Sequence, residues 1–252
     1  MIGVASPAFC AKPFDETLAT ISKHFSLWEI LPEGEHHLNE IKTGMLYGRD
    51  SLDLKFQIHA PMTDVNIGSV YEPMRQAALK EIRNVISVCR ELDIRLVTIH
   101  PGFVTGIAFL DRSKVFEATK RSVRELAPFA EDNSIQLALE NMPANINATC
   151  TAAADLVEAV QGTDVGLCFD MGHANTSNQL DEMLRHRSEF RNVHLHNNDG
   201  QWDQHNRIDH GTADLDRVLS ALKGSYDGNL IIEATGLDEG IESKRILEDR
   251  LQ

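Results

Sequence analysis

Short apolar, β-branched runs alternate with longer stretches of helical period along nearly the whole chain. The short runs fall at Ile2 to Ser6, Leu27 to Leu31, Phe56 to His59, Leu96 to His100, Gln136 to Glu140, Gly166 to Asp170, Asn192 to His196 and Leu230 to Glu233. Each is a predicted strand. Between them lie amphipathic segments, the clearest from Glu72 to Leu92, where Ala77, Ile82, Val85, Ile86 and Cys89 recur on one helix face. Further helices are predicted at Ser113 to Glu131, Ala152 to Gln161, Gln179 to Phe190, Leu215 to Lys223 and Ile241 to Leu251. Gly162 and Gly224 stand where helix C-caps belong. The second repeat, around "SLDLK" and Asp53, is the least regular. Eight β/α repeats of this length predict an α/β fold, a single (β/α)8 TIM barrel domain over residues 1–252. An open doubly wound sheet fits less well, and no Gly-rich phosphate loop follows the first strand.

The way the strands end is the most informative pattern. In order they finish "FQIH" at His59, "VTIH" at His100, "LALE" at Glu140, "LCFD" at Asp170, "VHLH" at His194 and His196, and "IIE" at Glu233. In a parallel barrel all strand C-termini face one shared pocket, above layers of apolar side chains, so the last inward residue is aimed at the mouth. Strands three to eight therefore each offer a residue able to bind a metal. Of the eleven histidines, His59, His100, His173, His194, His196, His205 and His210 fall at or just beyond strand ends.

Taken singly, each of these residues has an ordinary reading. A strand-end histidine is most often a hydrogen-bonded structural group, and Glu140 or Glu233 could pair with a cation. Charge distribution removes that reading for the set. The chain has 24 Lys and Arg against 38 Asp and Glu, and the loops after the strands contain Lys12 and Arg207 and essentially no others. Buried acids and imidazoles that converge without cations repel or sit unpaired. A divalent metal resolves the conflict, and His, Asp and Glu donors suit Zn, Mn, Fe or Co rather than a thiolate zinc site. The four cysteines (Cys10, Cys89, Cys150, Cys168) show no paired spacing and read as reduced residues of a cytoplasmic protein. The N-terminal "MIGVASPAFCAK" has no signal-peptide pattern and no long apolar run occurs, so no membrane association is expected.

The same residues carry a resemblance. "HAP" at 59, "HPG" at 100, "LEN" at 139, "DMGHA" at 170, "HLHNND" at 194, "DQH" at 203 and "IIEA" at 231 resemble the endonuclease IV and xylose isomerase-like barrel superfamily (AP endonuclease family 2), in order and over nearly the whole chain. The series is most similar to endonuclease IV, whose members hold three zinc ions. That resemblance implies His59, His100 and Glu140 on one ion, Glu140, Asp170, His194 and Glu233 on a second, and His173, Asp203 and His205 on a third. "APMTDVNIGS" after His59 resembles the Asn-containing loop of the family. Either His194 or His196 could be the ligand. The family pattern favours His194, leaving His196 nearer the mouth, against substrate or behind a ligand.

Two features depart from the endonuclease pattern. Asp209-His210-Gly211 stands where many relatives carry Gly-Glu-Gly, and the rim is acidic, with Glu33, Glu35, Asp64, Glu72, Asp111, Asp199, Asp209, Asp238 and Glu239. An acidic rim disfavours duplex DNA, including abasic-site DNA, and favours a small phosphorylated or sugar-like substrate. Two activities follow from the resemblance. The main expectation is phosphoester hydrolysis at a trinuclear zinc centre, because His59, His100, Asp203 and His205 have no evident use in a single-metal enzyme. The alternative is a sugar or sugar-phosphate isomerase or epimerase with one ion on Glu140, Asp170, His194 and Glu233. There the two glutamates move protons, His173 touches substrate and His196 assists catalysis. A non-catalytic metal-binding barrel is the remaining class.

Overall fold

The computed structural model describes residues 1–144 and 146–252. Eight parallel strands close into a barrel in sequence order: β1 (Ile2–Ala5), β2 (Leu27–Ile30), β3 (Lys55–His59), β4 (Leu96–Ile99), β5 (Gln136–Glu140), β6 (Gly166–Asp170), β7 (Phe190–Leu195) and β8 (Leu230–Glu233). The expected (β/α)8 TIM barrel is thus the observed fold. Around it lie α1 (Phe14–Ile21), α2 (Leu38–Leu52), α3 (Glu72–Glu91), α4 (Ser113–Asp132), α5 (Ala153–Val160), α6 (Met171–Thr176), α7 (Leu180–Arg185), α8 (Leu215–Leu222) and α9 (Leu237–Leu251). None of them is long and apolar enough to cross a membrane.

Most predicted elements match within a residue or two. The differences have local causes. The stretch from Gln179 to Phe190 is not one helix but α7 followed by a 3-10 turn at Arg187–Glu189, and β7 begins at Phe190. On α3 the buried stripe includes Ala78 and Leu79 rather than Ala77, which is exposed. Gly162 and Gly224 do adopt positive φ, 78° and 74°, just past the ends of α5 and α8. The irregular second repeat forms α2, which ends on Asp53 in the left-handed region (φ 51°). Its Gly44 and Gly48 weaken the helical signal but permit packing. A Cβ on Gly44 would lie 2.7 Å from Phe14, and one on Gly48 would lie 2.8 Å from Phe56.

Strand alternation divides the apolar residues unequally. Trp28, Ile30, Ile58, Val97, Ile99, Leu139, Leu167, Phe169, Val193 and Ile232 point outward and join the helices in one large core. Among the described residues, the barrel interior holds two small apolar groups, Ala5–Leu27–Ile231 and Leu96–Ala138–Cys168. The expected apolar filling below the mouth is interrupted by buried Glu29, Gln57, Thr98 and Asn192.

Candidate metal centre

β5 to β8 bring Glu140, Asp170, His194 and Glu233 together, with one donor atom from each lying within 4.8 Å of the others. Register explains part of this: Asp170 sits beside His194 on neighbouring strands, and Glu140 beside Cys168. His194 Nδ1 is 3.1 Å from Glu140 Oε1, 3.1 Å from Glu233 Oε1 and 3.9 Å from Asp170 Oδ2. Asp170 Oδ2 is buried and has no hydrogen-bond partner among the described residues. Three carboxylates and one imidazole around an unsatisfied oxygen, with no Lys or Arg among the described residues lining the adjoining cavity, form a donor set that fits a divalent cation.

Glu140 anchors a second group. Its Oε2 is 3.1 Å from His59 Nε2 and 3.2 Å from His100 Nε2. His59 Nδ1 donates to the Ala60 carbonyl at 2.9 Å, which leaves Nε2 for the carboxylate. Burial alone would raise the Glu140 carboxyl, yet the imidazoles of His194, His100 and His59 hold it well below its ordinary value. Burial pulls His59 down, but Glu140 outweighs it and lifts the imidazole to about 9. His100 is lowered, because burial wins there.

The outer group contains His173, His196, Asp203 and His205, again with donors within 4.8 Å. Asp170 caps α6 by accepting from the His173 backbone N–H at 2.6 Å, and His173 Nδ1 donates to the Asn141 carbonyl at 2.8 Å. His173 Nε2 and His205 Nε2 both lie 3.2 Å from Asp203 Oδ2. His205 reaches this position with φ 49°, a left-handed conformation unusual for a residue with a Cβ. His196 is fully buried rather than at the open mouth. Its ring stacks on His205 with centroids 3.9 Å apart and approaches Asp170 Oδ1 to 3.1 Å. A Cβ on Gly172 would lie 2.0 Å from His196 Cε1, so glycine is what admits the ring.

Every residue in the expected ligand series therefore lies at the barrel mouth. Sequence reasoning missed the layer beneath. Glu29 accepts from Asn192 Nδ2 at 2.7 Å and from Gln57 Nε2, while Asn192 Nδ2 also donates to Thr98 Oγ1 at 2.9 Å. It also missed Asn141, which ties the ends of β5 and β6 by exchanging hydrogen bonds with the Asp170 backbone. The rim acids are less free than their number suggests. Glu33 accepts from the backbone of Met62 and Thr63, and Arg207 pairs with Asp209 at 2.6 Å.

Comparison with known proteins bears on the reaction. The model of the xylose isomerase-like TIM barrel family matches residues 47–250. Uncharacterized protein MJ1311 of Methanocaldococcus jannaschii is 31% identical over 260 residues, covering 99% of this chain and 89% of the relative. The crystal structure of a D-tagatose 3-epimerase-like protein aligns with a TM-score of 0.89 at 30% identity, covering 99% of this chain and 96% of that one. Inosose isomerase of Bacillus velezensis is 28% identical over 156 residues, covering 58% of this chain and 55% of the enzyme.

These relatives overturn the expectation of phosphoester hydrolysis at an endonuclease IV-like centre. Of the three, the two whose names carry an activity are an epimerase-like protein and an isomerase, and neither name points to DNA. The physical reason lies in the residues used to discriminate. His59 and His100 are bound to the shared carboxylate of Glu140, and His205 to Asp203, so they have a use whichever reaction the barrel runs. Ligand positions are a property of the fold and do not fix the chemistry above them.

Proposed function

Since this chain belongs to the xylose isomerase-like TIM barrel family, we propose that it is a divalent-metal-dependent epimerase or isomerase of a small, uncharged sugar. The observation that carries this reading is the convergence of Glu140, Asp170, His194 and Glu233 on one buried point containing an unsatisfied carboxylate oxygen. These four would hold the essential ion. When bound, it polarises sugar oxygens and acidifies the adjacent C–H. Up to two more ions would sit on His59, His100 and Glu140 and on His173, His196, Asp203 and His205, with Zn, Mn, Fe or Co all suited to these donors.

Glu140 and Glu233 then exchange the proton. They rise from strands separated by β6 and β7, so they approach the same space from different sides. Surrounding imidazoles keep both carboxylates ionised through neutral pH despite their burial. One carboxylate removes the proton beside the carbonyl, and the other, having taken a proton from water, returns it to carbon. The first then releases its proton to water, which inverts a carbon or, as the neighbouring hydroxyl proton passes to the old carbonyl oxygen, shifts the carbonyl. His173 lines the cavity and contacts substrate hydroxyls, whereas buried His196 braces Asp170 and Asp203 from below. The cavity, about 90 Å³ and lined also by Ser6, Pro7, Leu31 and Met62, has no Lys or Arg among its described lining residues to pair with a phosphate group. The test is a panel of free ketoses, aldoses and inososes and their phosphates, incubated with metal-loaded protein in heavy water. The expected result is metal-dependent deuterium incorporation next to the carbonyl of a free sugar. Exchange with none of them overturns the reading.

A further inference from the structure

Glu29 lies in mid-β2, with only 1% of its surface exposed, in a barrel interior where apolar side chains are the rule. Its two oxygens have different surroundings. Oε2 accepts from Gln57 and Asn192, whereas Oε1 has no partner with hydrogen-bond geometry among the described residues and stands 2.9 Å from His194 Nε2. Asn192 Nδ2 also comes within 2.9 Å of that nitrogen, but it has two hydrogens for three neighbours, and Glu29 Oε2 at 2.7 Å and Thr98 Oγ1 at 2.9 Å take both whenever His194 Nε2 carries its own. Gln57 likewise spends its two on Glu29 Oε2 and Asn192 Oδ1. Among the described residues, that leaves a hydrogen on His194 Nε2, 2.9 Å away, to serve Glu29 Oε1.

The other ring nitrogen is contested. His194 Nδ1 has Glu140 Oε1 and Glu233 Oε1 each at 3.1 Å, and either oxygen would accept a proton from it. A proton on Nδ1 would close the lone pair that the four-donor centre needs. From these contacts we propose that Glu29 is a positioning residue: it holds the His194 proton on Nε2 and so keeps Nδ1 open toward Glu140, Asp170 and Glu233. A carboxylate behind a ligating imidazole also makes the ring a stronger donor. The other members of the polar layer, Gln57, Thr98, Asn192 and Asn229, whose Nδ2 donates to Gln57 Oε1 at 2.8 Å, fix the carboxylate in turn. Such a network is costly to bury for shape alone.

This inference rests on His194 being a metal ligand, as the proposed function has it. Its test reads metal affinity, not turnover. Metal-stripped wild type, Glu29→Gln and Thr98→Val are titrated with Zn²⁺ or Mn²⁺ against a chromogenic chelator, and their melting is followed without metal. Thr98→Val is similar in shape and loosens Asn192 in the same layer while leaving the Glu29 carboxylate in place. Glu29→Gln should bind metal about 10- to 100-fold more weakly, the usual cost of losing the partner behind a ligand. Thr98→Val should lose clearly less affinity than Glu29→Gln. Equal affinity in Glu29→Gln and wild type, or equal losses in both variants, overturns the role. If Glu29→Gln does not fold, Glu29→Asp replaces it. Its shorter carboxylate should bind metal more weakly than Thr98→Val, and wild-type affinity there also overturns the role. A wild type that binds no metal overturns the proposed function as well.

Discussion

The inner centre and the outer cluster are built from the same residue types by different means. Glu140, Asp170, His194 and Glu233 stand on strand ends, so hydrogen-bonded registers across the barrel fix their spacing. The outer cluster draws Asp203 and His205 from the long connection between β7 and β8, where His205 needs a left-handed backbone to face its partners. Glu140, Asp170 and His194 are fully buried, whereas the side chains of Asp203 and His205 remain 19% and 25% exposed. Rigid positioning suits groups that must hold a reacting carbon between two carboxylates, and a loop suits groups that support them. The inner centre is therefore the proposed seat of the reaction.

The strongest way to break that assignment is Glu140→Ala. Glu140 belongs to the inner centre and also holds His59 and His100, so its loss should lower metal content at two clusters and turnover by on the order of 10²- to 10⁴-fold. Elemental analysis and rate measurement check both halves. His205→Ala should have a smaller effect, emptying only the outer cluster and leaving turnover within about tenfold, the lower end of what supporting groups contribute. Equal losses in the two variants would erase the distinction between the regions.

Metal removal sharpens the comparison further. In the metal-free protein, His59 is raised from 6.5 to about 9 because Glu140 outweighs burial. A raised folded value means its stabilising contribution is complete below pH 6.5 and lost as pH climbs to about 9. Thermal melts of stripped protein should weaken across that window, while metal-loaded protein, whose ligands must be deprotonated, should not. The smallest expected effect is Gly172→Ala. The new methyl must displace the His196 ring, costing about 1–3 kcal/mol as overpacking does and disturbing the outer cluster before the inner one. Unchanged melting would mean that His196 is not held where it is described.

The same contrast explains what the sequence revealed. The closed barrel was legible because its strands repeat at even intervals, and His59, Glu140, Asp170 and Glu233 were legible because a polar residue ending an apolar run is conspicuous. His100 and His196 lie one residue beyond their strands, yet the apolar runs before them still marked them. Glu29 in "LWEI" and Gln57 in "FQIH" were not legible, since period-two alternation makes a mid-strand polar residue look solvent-facing. In a closed barrel that face is the interior. The reaction was misread for a related reason: counting ligands locates ions, and the histidines counted as surplus turned out to be partners of Glu140 and Asp203.

The most direct test of the central claim is a metal titration of stripped protein, following interconversion of whichever free sugar shows solvent exchange. Turnover should rise with the first equivalent of Mn²⁺ or Zn²⁺ and be complete at about one ion per chain, with His205→Ala reaching its own plateau at the same equivalence. Turnover that stays absent until a second or third equivalent has bound, or that vanishes in His205→Ala, would contradict it.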